Sequence, residues 1–210
     1  MRDLDVGGGR AARGSGGGSL SAEATPSVEP VVEALKRDAC AAVDARRAEL
    51  LAVAHEIHAH PELAFAERRA SALLVERLRE AGLAVEAPCY GLETAFECRI
   101  GAAGPIVALL AEYDALPGMG HACGHNLIAA AAIGGGLALA ALGARLPGRV
   151  RVLGTPAEEA GCGKELLARA GAFEGVDAAL MVHPAGVDLE TMPWIRSVDR
   201  MCWRSCAIDW

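Results

Sequence analysis

The stretch PIVALLAEYDALPGMGHACGHN, residues 105–126, decides the fold of this chain. Its first nine residues, 105–113, are nearly all apolar, which is typical of a central strand buried on both faces of a sheet. Its end places two histidines and a cysteine within five positions: His121, Cys123 and His125. A metal site, a redox site and a polar turn before an apolar segment are all compatible with this group taken alone.

Outward from this stretch, strands and helices alternate along the chain. Before it we predict one long helix from residue 28 to the breaker Pro61, a second helix over 66–82, and short strands at 83–87 and 94–100. After it we predict an apolar helix over 127–144, a strand at 149–155, a short helix over 164–171 and a second buried strand at 176–183. This alternation predicts an α/β fold with a mixed, largely parallel sheet flanked by helices.

Composition excludes several classes of function. The chain has 210 residues, of which 52% are apolar, and its formal net charge is −7. Such an acidic balance argues against a nucleic-acid or anionic-membrane partner, which would require a basic face. The seven cysteines are irregularly spaced, no CxxC pair occurs, and the first 27 residues lack the apolar core of a secretory signal. We therefore expect free thiols and a cytoplasmic location.

Residues 127–144 form the longest uncharged run, LIAAAAIGGGLALAALGA. Its 18 residues reach the lower limit for a membrane-spanning helix. Eight of these residues are Ala and four are Gly, so the segment is only weakly hydrophobic, and it has no aromatic belt. We therefore interpret it as a buried helix of the α/β domain and expect no membrane partner.

The chain divides into three parts by composition. Residues 1–27 are rich in Gly and Ser, and we expect a disordered leader there. Residues 28–190 carry the strand and helix pattern of a partial catalytic domain. Residues 191–210 hold all three tryptophans of the chain. We predict that this last part is an atypical tail of different origin, such as the product of a frameshift.

Polar side chains follow three successive predicted strands. Glu112 and Asp114 come after the first and lead to Cys123 and His125, the pair Glu158-Glu159 follows the second, and His183 ends the third. The carboxyl ends of parallel strands converge on one crevice, so we expect these groups to meet there. Imidazole, thiolate and carboxylate together suit Zn²⁺ or a similar divalent ion. In a glutamate pair, one carboxylate can bind the metal while the other accepts a proton from water.

Each of these signals is weak alone, since an isolated Glu-Glu pair is usually solvated surface and a lone strand-end histidine is usually structural. Their order is more specific. The segments IHAHPELAFAE (57–67), LLAEYDALPGMGHACGHNLIAAAA (109–132) and LGTPAEEAGCGKELLARAGAFEGVDAALMVHP (153–184) resemble the peptidase M20 family of zinc amidohydrolases and metallopeptidases. This family includes aminoacylases, carboxypeptidase G and indole-acetyl-amino-acid hydrolases. The motifs are most similar to the branch of β-alanyl-lysine dipeptidase, and the resemblance covers about residues 30–190.

The resemblance implies a role for each matching position. Glu158 matches the general base, and the metal ligands it implies are Cys123, His125, Glu159 and His183. Glu112, Asp114 and His121 match supporting positions that orient these ligands. The family's site is typically dinuclear and holds Zn²⁺, with Mn²⁺ or Co²⁺ as alternatives. The implied reaction is hydrolysis of amide bonds in N-acyl amino acids or small dipeptides.

The resemblance also implies parts that this sequence does not contain. The chain matches the N-terminal half of a zinc-exopeptidase-like catalytic domain, while the family's lid domain, through which members often homodimerise, and its last metal-ligand histidine are missing. The alternative to an active hydrolase is therefore an inactive truncated fragment. Such a fragment would bind metal weakly or act only through association with a partner chain.

Overall fold

The computed structural model describes residues 28–184, so the predicted leader 1–27 and the tail 191–210 lie outside the described residues. Strands and helices alternate over most of the described part, as predicted. In chain order the elements are α1 (Val28–Ala45), α2 (Arg47–Ala59), α3 (Arg68–Glu80), β1 (Val85–Glu86), β2 (Phe96–Ile100), β3 (Ile106–Ala111), α4 (His125–Ala141), β4 (Arg149–Gly154), α5 (Gly163–Arg169) and β5 (Ala178–Leu180).

The five strands form one sheet in the order β1-β2-β4-β3-β5. β3 pairs in parallel with both β4 and β5, whereas β2 is antiparallel to β1 and to β4. Four of the five strands therefore run in the same direction, which confirms the predicted mixed, largely parallel sheet flanked by helices. The sheet directs the ends of β3, β4 and β5 towards the same edge.

Helix α4, which follows the His/Cys loop, is packed between the sheet and α2. A Cβ atom added at Gly136 would lie 2.4 Å from Cγ2 of Val152 in β4, and one added at Gly134 would lie 2.8 Å from Cδ1 of Leu50 in α2. Glycine and alanine thus allow two layers to approach the same helix, and 11 of its 17 residues are buried. The buried-helix interpretation is confirmed. Within the described ranges no helix has the length and apolar character needed to cross a membrane.

The hydrophobic core lies mainly between the sheet and helices α2, α3 and α4. Leu74 and Leu78 of α3, Ile133 of α4 and Phe96 and Val152 of the sheet are each fully buried in it. A smaller cluster packs Leu167 of α5 against residues that flank β2. The core therefore fixes α4, and with it the first residue of α4, His125, against the strand ends.

One long N-terminal helix was predicted, but the chain forms two helices. The break is at Arg46, whose N–H bonds to the carbonyl of Val43 only three residues earlier. Both α1 and α2 contact α4, and the break allows each to follow α4 in its own direction. The prediction was wrong because neither proline nor glycine lies at this point, so the local sequence carries no signal for the break.

The prediction of a second buried strand at 176–183 was also wrong in its burial. β5 spans only Ala178–Leu180, and all three of its residues are exposed. The strand lies at the edge of the sheet, where β3 pairs with one side of it, and no described element covers it. An apolar run of three to five residues does not distinguish a central strand from an edge strand.

Candidate metal centre

The predicted site residues meet at the carboxyl ends of three parallel strands. Glu112 directly follows β3, and its carboxylate is almost fully buried. Glu158 lies in the loop after β4, and His183 lies three residues beyond the end of β5. His125 begins α4 on the same edge. The predicted convergence is therefore present in the fold.

His125 lies at the centre of the site and is completely buried. Its Nδ1 is 2.9 Å from Oδ1 of Asp114, while its Nε2 lies 3.3 Å from Glu112, 3.6 Å from Glu159 and 3.9 Å from Glu158. Nε2 makes no hydrogen bond among the described residues. An ionised Asp114 can only accept, so Nδ1 carries the proton and the lone pair of Nε2 is available to a metal.

The charges around His125 favour a cation at Nε2. Burial alone would lower the pKa of His125, but the hydrogen bond to Asp114 and the charges of Glu112 and Glu159 outweigh it, and the net pKa is raised. Neither oxygen of Glu112 and only one of Glu159 makes a hydrogen bond of normal geometry. Buried carboxylates without such partners are costly unless a positive charge compensates them. The donor set therefore fits a divalent metal.

Asp114 connects two of the loops that form the site. Its Oδ1 accepts from His125, and its Oδ2 accepts from the backbone N–H of Glu159 at 2.9 Å. Burial would raise the pKa of Asp114, but these hydrogen bonds together lower it. An ionised Asp114 thus fixes both the tautomer of His125 and the backbone of the glutamate pair, which is the orienting role that was predicted for it.

Cys123 and His183 face each other across the site. The Sγ of Cys123 lies 3.4 Å from Nε2 of His183, whose Nδ1 donates to the carbonyl of Pro184 at 2.7 Å. Burial, followed by the nearby carboxylate of Glu159, raises the pKa of the Cys123 thiol to about 11. A thiol in such acidic surroundings ionises when a metal ion replaces its proton.

Two overlapping groups of side chains could hold a metal ion. One consists of Cys123, His125 and His183, and the other of Glu112, His125 and Glu158, with ligand atoms within 4.8 Å of one another in each group. Both groups need Nε2 of His125, because its Nδ1 is bonded to Asp114. One nitrogen lone pair binds one ion, so the two groups describe one binding region rather than two separate sites.

Lys164, to which the sequence alone assigned no role, also belongs to this site. Its Nζ lies 2.5 Å from Oε1 of Glu112 and 3.8 Å from Oε1 of Glu158. It lies in the first turn of α5, where the helix dipole disfavours a cation. A lysine at that position needs acidic partners, and this was the only signal in the sequence that could have identified it.

His121 is brought near the site but not into either ligand group. It is 7% exposed, and neither ring nitrogen makes a hydrogen bond of normal geometry among the described residues. Burial and the neighbouring His125 and His58 lower the pKa of His121. The supporting role predicted for it stays a prediction. His55, His58 and His60, which were placed outside the ligand set, are exposed.

Gly124 provides a test of how the loop positions His183. Its φ of +86° is left-handed, and an added Cβ would lie 2.4 Å from Cγ of Pro184, next to His183. We expect Gly124→Ala to destabilise the fold by about 1–2 kcal/mol through its backbone, and also to displace Pro184 and weaken metal binding about tenfold. Chemical denaturation and metal titration measure the two effects.

Gly118→Ala is the matched control for Gly124→Ala. Gly118 has a φ of +73° but nothing within 4 Å of an added Cβ, so this variant has only the backbone cost. Equal metal affinity in the two variants would show that the contact with Pro184 does not position His183.

Comparison with known proteins identifies relatives of this chain. Residues 108–198 match the model of Peptidase family M20/M25/M40. The chain is 44% identical to the Xaa-Arg dipeptidase of Mus musculus over 193 residues, which cover 85% of this chain and 44% of that protein. It is 36% identical to a p-aminobenzoyl-glutamate hydrolase of Escherichia coli, covering 68% of this chain and 34% of that protein.

A solved structure matches the same region. The YXEP protein of Bacillus subtilis, described as a dinuclear metal binding peptidase from the M20 family, aligns with a TM-score of 0.61 and 31% identity. The alignment covers 65% of this chain and 42% of that protein. The chain thus spans less than half the length of these relatives. The strand-end site, the family model and these similarities lead to one conclusion, which is that the chain belongs to the M20 family of peptidases.

Proposed function

We propose that this site is the metal centre of a hydrolase that cleaves amide bonds in N-acyl amino acids or small dipeptides. The observation that carries the proposal is the free Nε2 of buried His125, which is surrounded by carboxylates and lies beside the Cys123–His183 pair. The names of the relatives support the substrate class, since they include a dipeptidase, an aminobenzoyl-glutamate hydrolase and an N-acetyl-L-cysteine deacetylase.

In this proposal Cys123, His125, Glu159 and His183 hold the ion. Nitrogen, sulfur and carboxylate donors favour Zn²⁺, with Mn²⁺ and Co²⁺ as alternatives, and metal analysis tests whether one or two ions bind. A bound divalent ion lowers the pKa of water and polarises a carbonyl oxygen. Asp114 keeps Nε2 of His125 unprotonated and available. Glu112, neutralised by Lys164, supports the ligands from beneath.

Glu158 is the proposed general base. Its side chain is 39% exposed, compared with 20% for Glu159, so it is the member of the pair that substrate and water can reach. It takes a proton from water as the water oxygen attacks the amide carbon, and it returns that proton to the leaving nitrogen. Glu159, whose backbone is fixed by Asp114 and whose Oε1 is buried without a hydrogen bond, suits the ligand role.

The proposed compartment is the cytoplasm. Cys40, Cys89, Cys98, Cys123 and Cys162 are all free thiols, which is usual where disulfides do not persist. Homodimerisation is a further proposal. The exposed apolar residues Leu180, Met181 and Val182 at the β5 edge support association with another chain.

Metal loading and a hydrolysis assay on the 210-residue chain test the proposal. We expect stoichiometric Zn²⁺ by elemental analysis, and stabilisation by about 2.7 kcal/mol when free metal is 100 times its Kd. We also expect release of the amino acid from N-acyl amino acids or from Xaa-Arg dipeptides. Bound metal without turnover supports the alternative of a metal-binding fragment, and the absence of both metal and turnover contradicts either function.

A further inference from the structure

We infer that Glu67 is a positioning residue, whose buried carboxylate holds the loop that carries Glu158 and Glu159. Its consequence for catalysis rests on the proposed function, whereas its effect on the loop does not. Glu67 lies at the end of IHAHPELAFAE, outside the strand-end site. Its closest link to the site is through the backbone of Ala157, the residue before Glu158.

The carboxylate of Glu67 makes two hydrogen bonds that bridge separate parts of the chain. Oε1 accepts from the backbone N–H of Ala157 at 2.8 Å, and Oε2 accepts from the hydroxyl of Thr94 at 2.9 Å. Glu67 is completely buried, and burial raises the pKa of its carboxyl group. A buried carboxylate that binds a distant loop is costly to the fold, which points to a role in that loop.

Glu67 is not needed at the helix that it precedes. It occupies the N-cap position of α3 but makes no capping bond with its side chain. Glu62 performs that role instead, because its two carboxylate oxygens accept from the backbone N–H groups of Arg69 and Ala70. The usual structural explanation for an acidic residue at a helix start therefore belongs to Glu62. Glu67 is left free to bind the glutamate loop.

The backbone that Glu67 holds adopts an uncommon conformation. Ala157 is fully buried with a φ of +58°, in the left-handed region that residues with a side chain rarely adopt. Such a conformation persists only where surrounding contacts impose it. The N–H of Ala157 bonds to Glu67, and its carbonyl accepts from Gly163 at the start of α5. These two bonds close the loop around the glutamate pair.

Phe65 reinforces the same contact. Its ring packs so closely on Gly161 that a Cβ there would lie 2.3 Å from Cε2 of the ring. Residues 65–67 thus contact the loop near both of its ends, at Ala157 and at Gly161. Loss of the Glu67 bond would leave the buried N–H of Ala157 without an acceptor and release the backbone next to Glu158. A displacement of about 1 Å at a reacting group can reduce a rate about 100-fold.

Comparison of Glu67→Ala with Glu67→Gln in the 210-residue chain tests this role. Glutamine keeps an oxygen for Ala157, and its amide can donate to the hydroxyl of Thr94. We expect exchange of the Ala157 amide, followed by NMR, to be about 10- to 100-fold faster in Glu67→Ala and close to wild type in Glu67→Gln. In the metal-loaded chain kcat should fall about 10- to 100-fold in Glu67→Ala, with KM changed less than about threefold.

Two controls separate positioning from stability. Leu74→Ala opens a cavity in the core away from the loop, so it should lower global stability without faster exchange at Ala157 under native conditions. Thr94→Val removes only the second bond of Glu67 and should leave the Ala157 amide protected. If Glu67→Ala does not fold, Glu67→Asp, whose shorter side chain lengthens both bonds, should give a smaller change in the same direction.

Three results would overturn the inference. The first is an unprotected Ala157 amide in the wild-type chain, and the second is unchanged exchange in Glu67→Ala. The third is faster exchange with unchanged kcat, which would leave Glu67 a structural residue only. If the wild-type chain hydrolyses no substrate, the proposed function fails, while the exchange rates still test the contact between Glu67 and the loop.

Discussion

Glu158→Gln in the metal-loaded chain is expected to lower the rate of amide hydrolysis about 10²- to 10⁴-fold and to leave the bound metal unchanged. Glutamine has nearly the shape of glutamate, so the loop should keep its conformation. Its amide cannot accept a proton from water, and a correctly placed general base contributes a factor of this size. Steady-state kinetics and elemental analysis on the same preparation measure the two quantities.

Two other glutamates serve as controls for this variant. Glu159→Gln should weaken metal binding, because Glu159 is the proposed ligand, whose backbone N–H is fixed by Asp114. Glu165→Gln, in the following helix, removes an exposed carboxylate paired with Arg169 and should change neither rate nor metal content. Normal turnover by Glu158→Gln would refute the base assignment, and loss of metal from it would exchange the roles of the two glutamates.

The sequence was sufficient to predict which residues converge, because strand periodicity and loop position follow local rules. The polar groups after residues 111, 154 and 180 are all at strand ends, and parallel strands bring such ends together. His125 was predictable for the same reason, since its loop directly follows the apolar strand β3. None of these assignments required knowledge of a contact between distant residues.

The features that escaped prediction depend on distant contacts. Lys164 finds Glu112 across 52 positions of sequence, and Glu67 finds Ala157 across 90. The break at Arg46 depends on how two helices meet α4, and the exposure of β5 depends on its place in the strand order. Periodicity reports which face of an element is apolar, but it does not report which neighbour covers that face.

His125→Ala is expected to weaken Zn²⁺ binding by well over about 100-fold, which is more than the loss of a residue that only orients a ligand. Nε2 of His125 belongs to both possible ligand groups, so neither group survives its removal. The variant should also be less stable without metal. The buried carboxylate of Asp114 would lose its imidazole partner, and breaking a buried pair in this way costs about 3–5 kcal/mol.

Asp114→Asn and His55→Ala complete the series. Asp114→Asn keeps Nε2 in place but can reverse the tautomer of His125, so an intermediate loss of about 10- to 100-fold in metal affinity is expected. His55 is exposed and belongs to neither ligand group, so His55→Ala should bind metal as the wild type does. Wild-type affinity in His125→Ala would mean that the ion lies elsewhere. In that case the unpaired lone pair of Nε2 and the buried carboxylates around it would need another positive charge, and Lys164 is the nearest protein cation that could supply it.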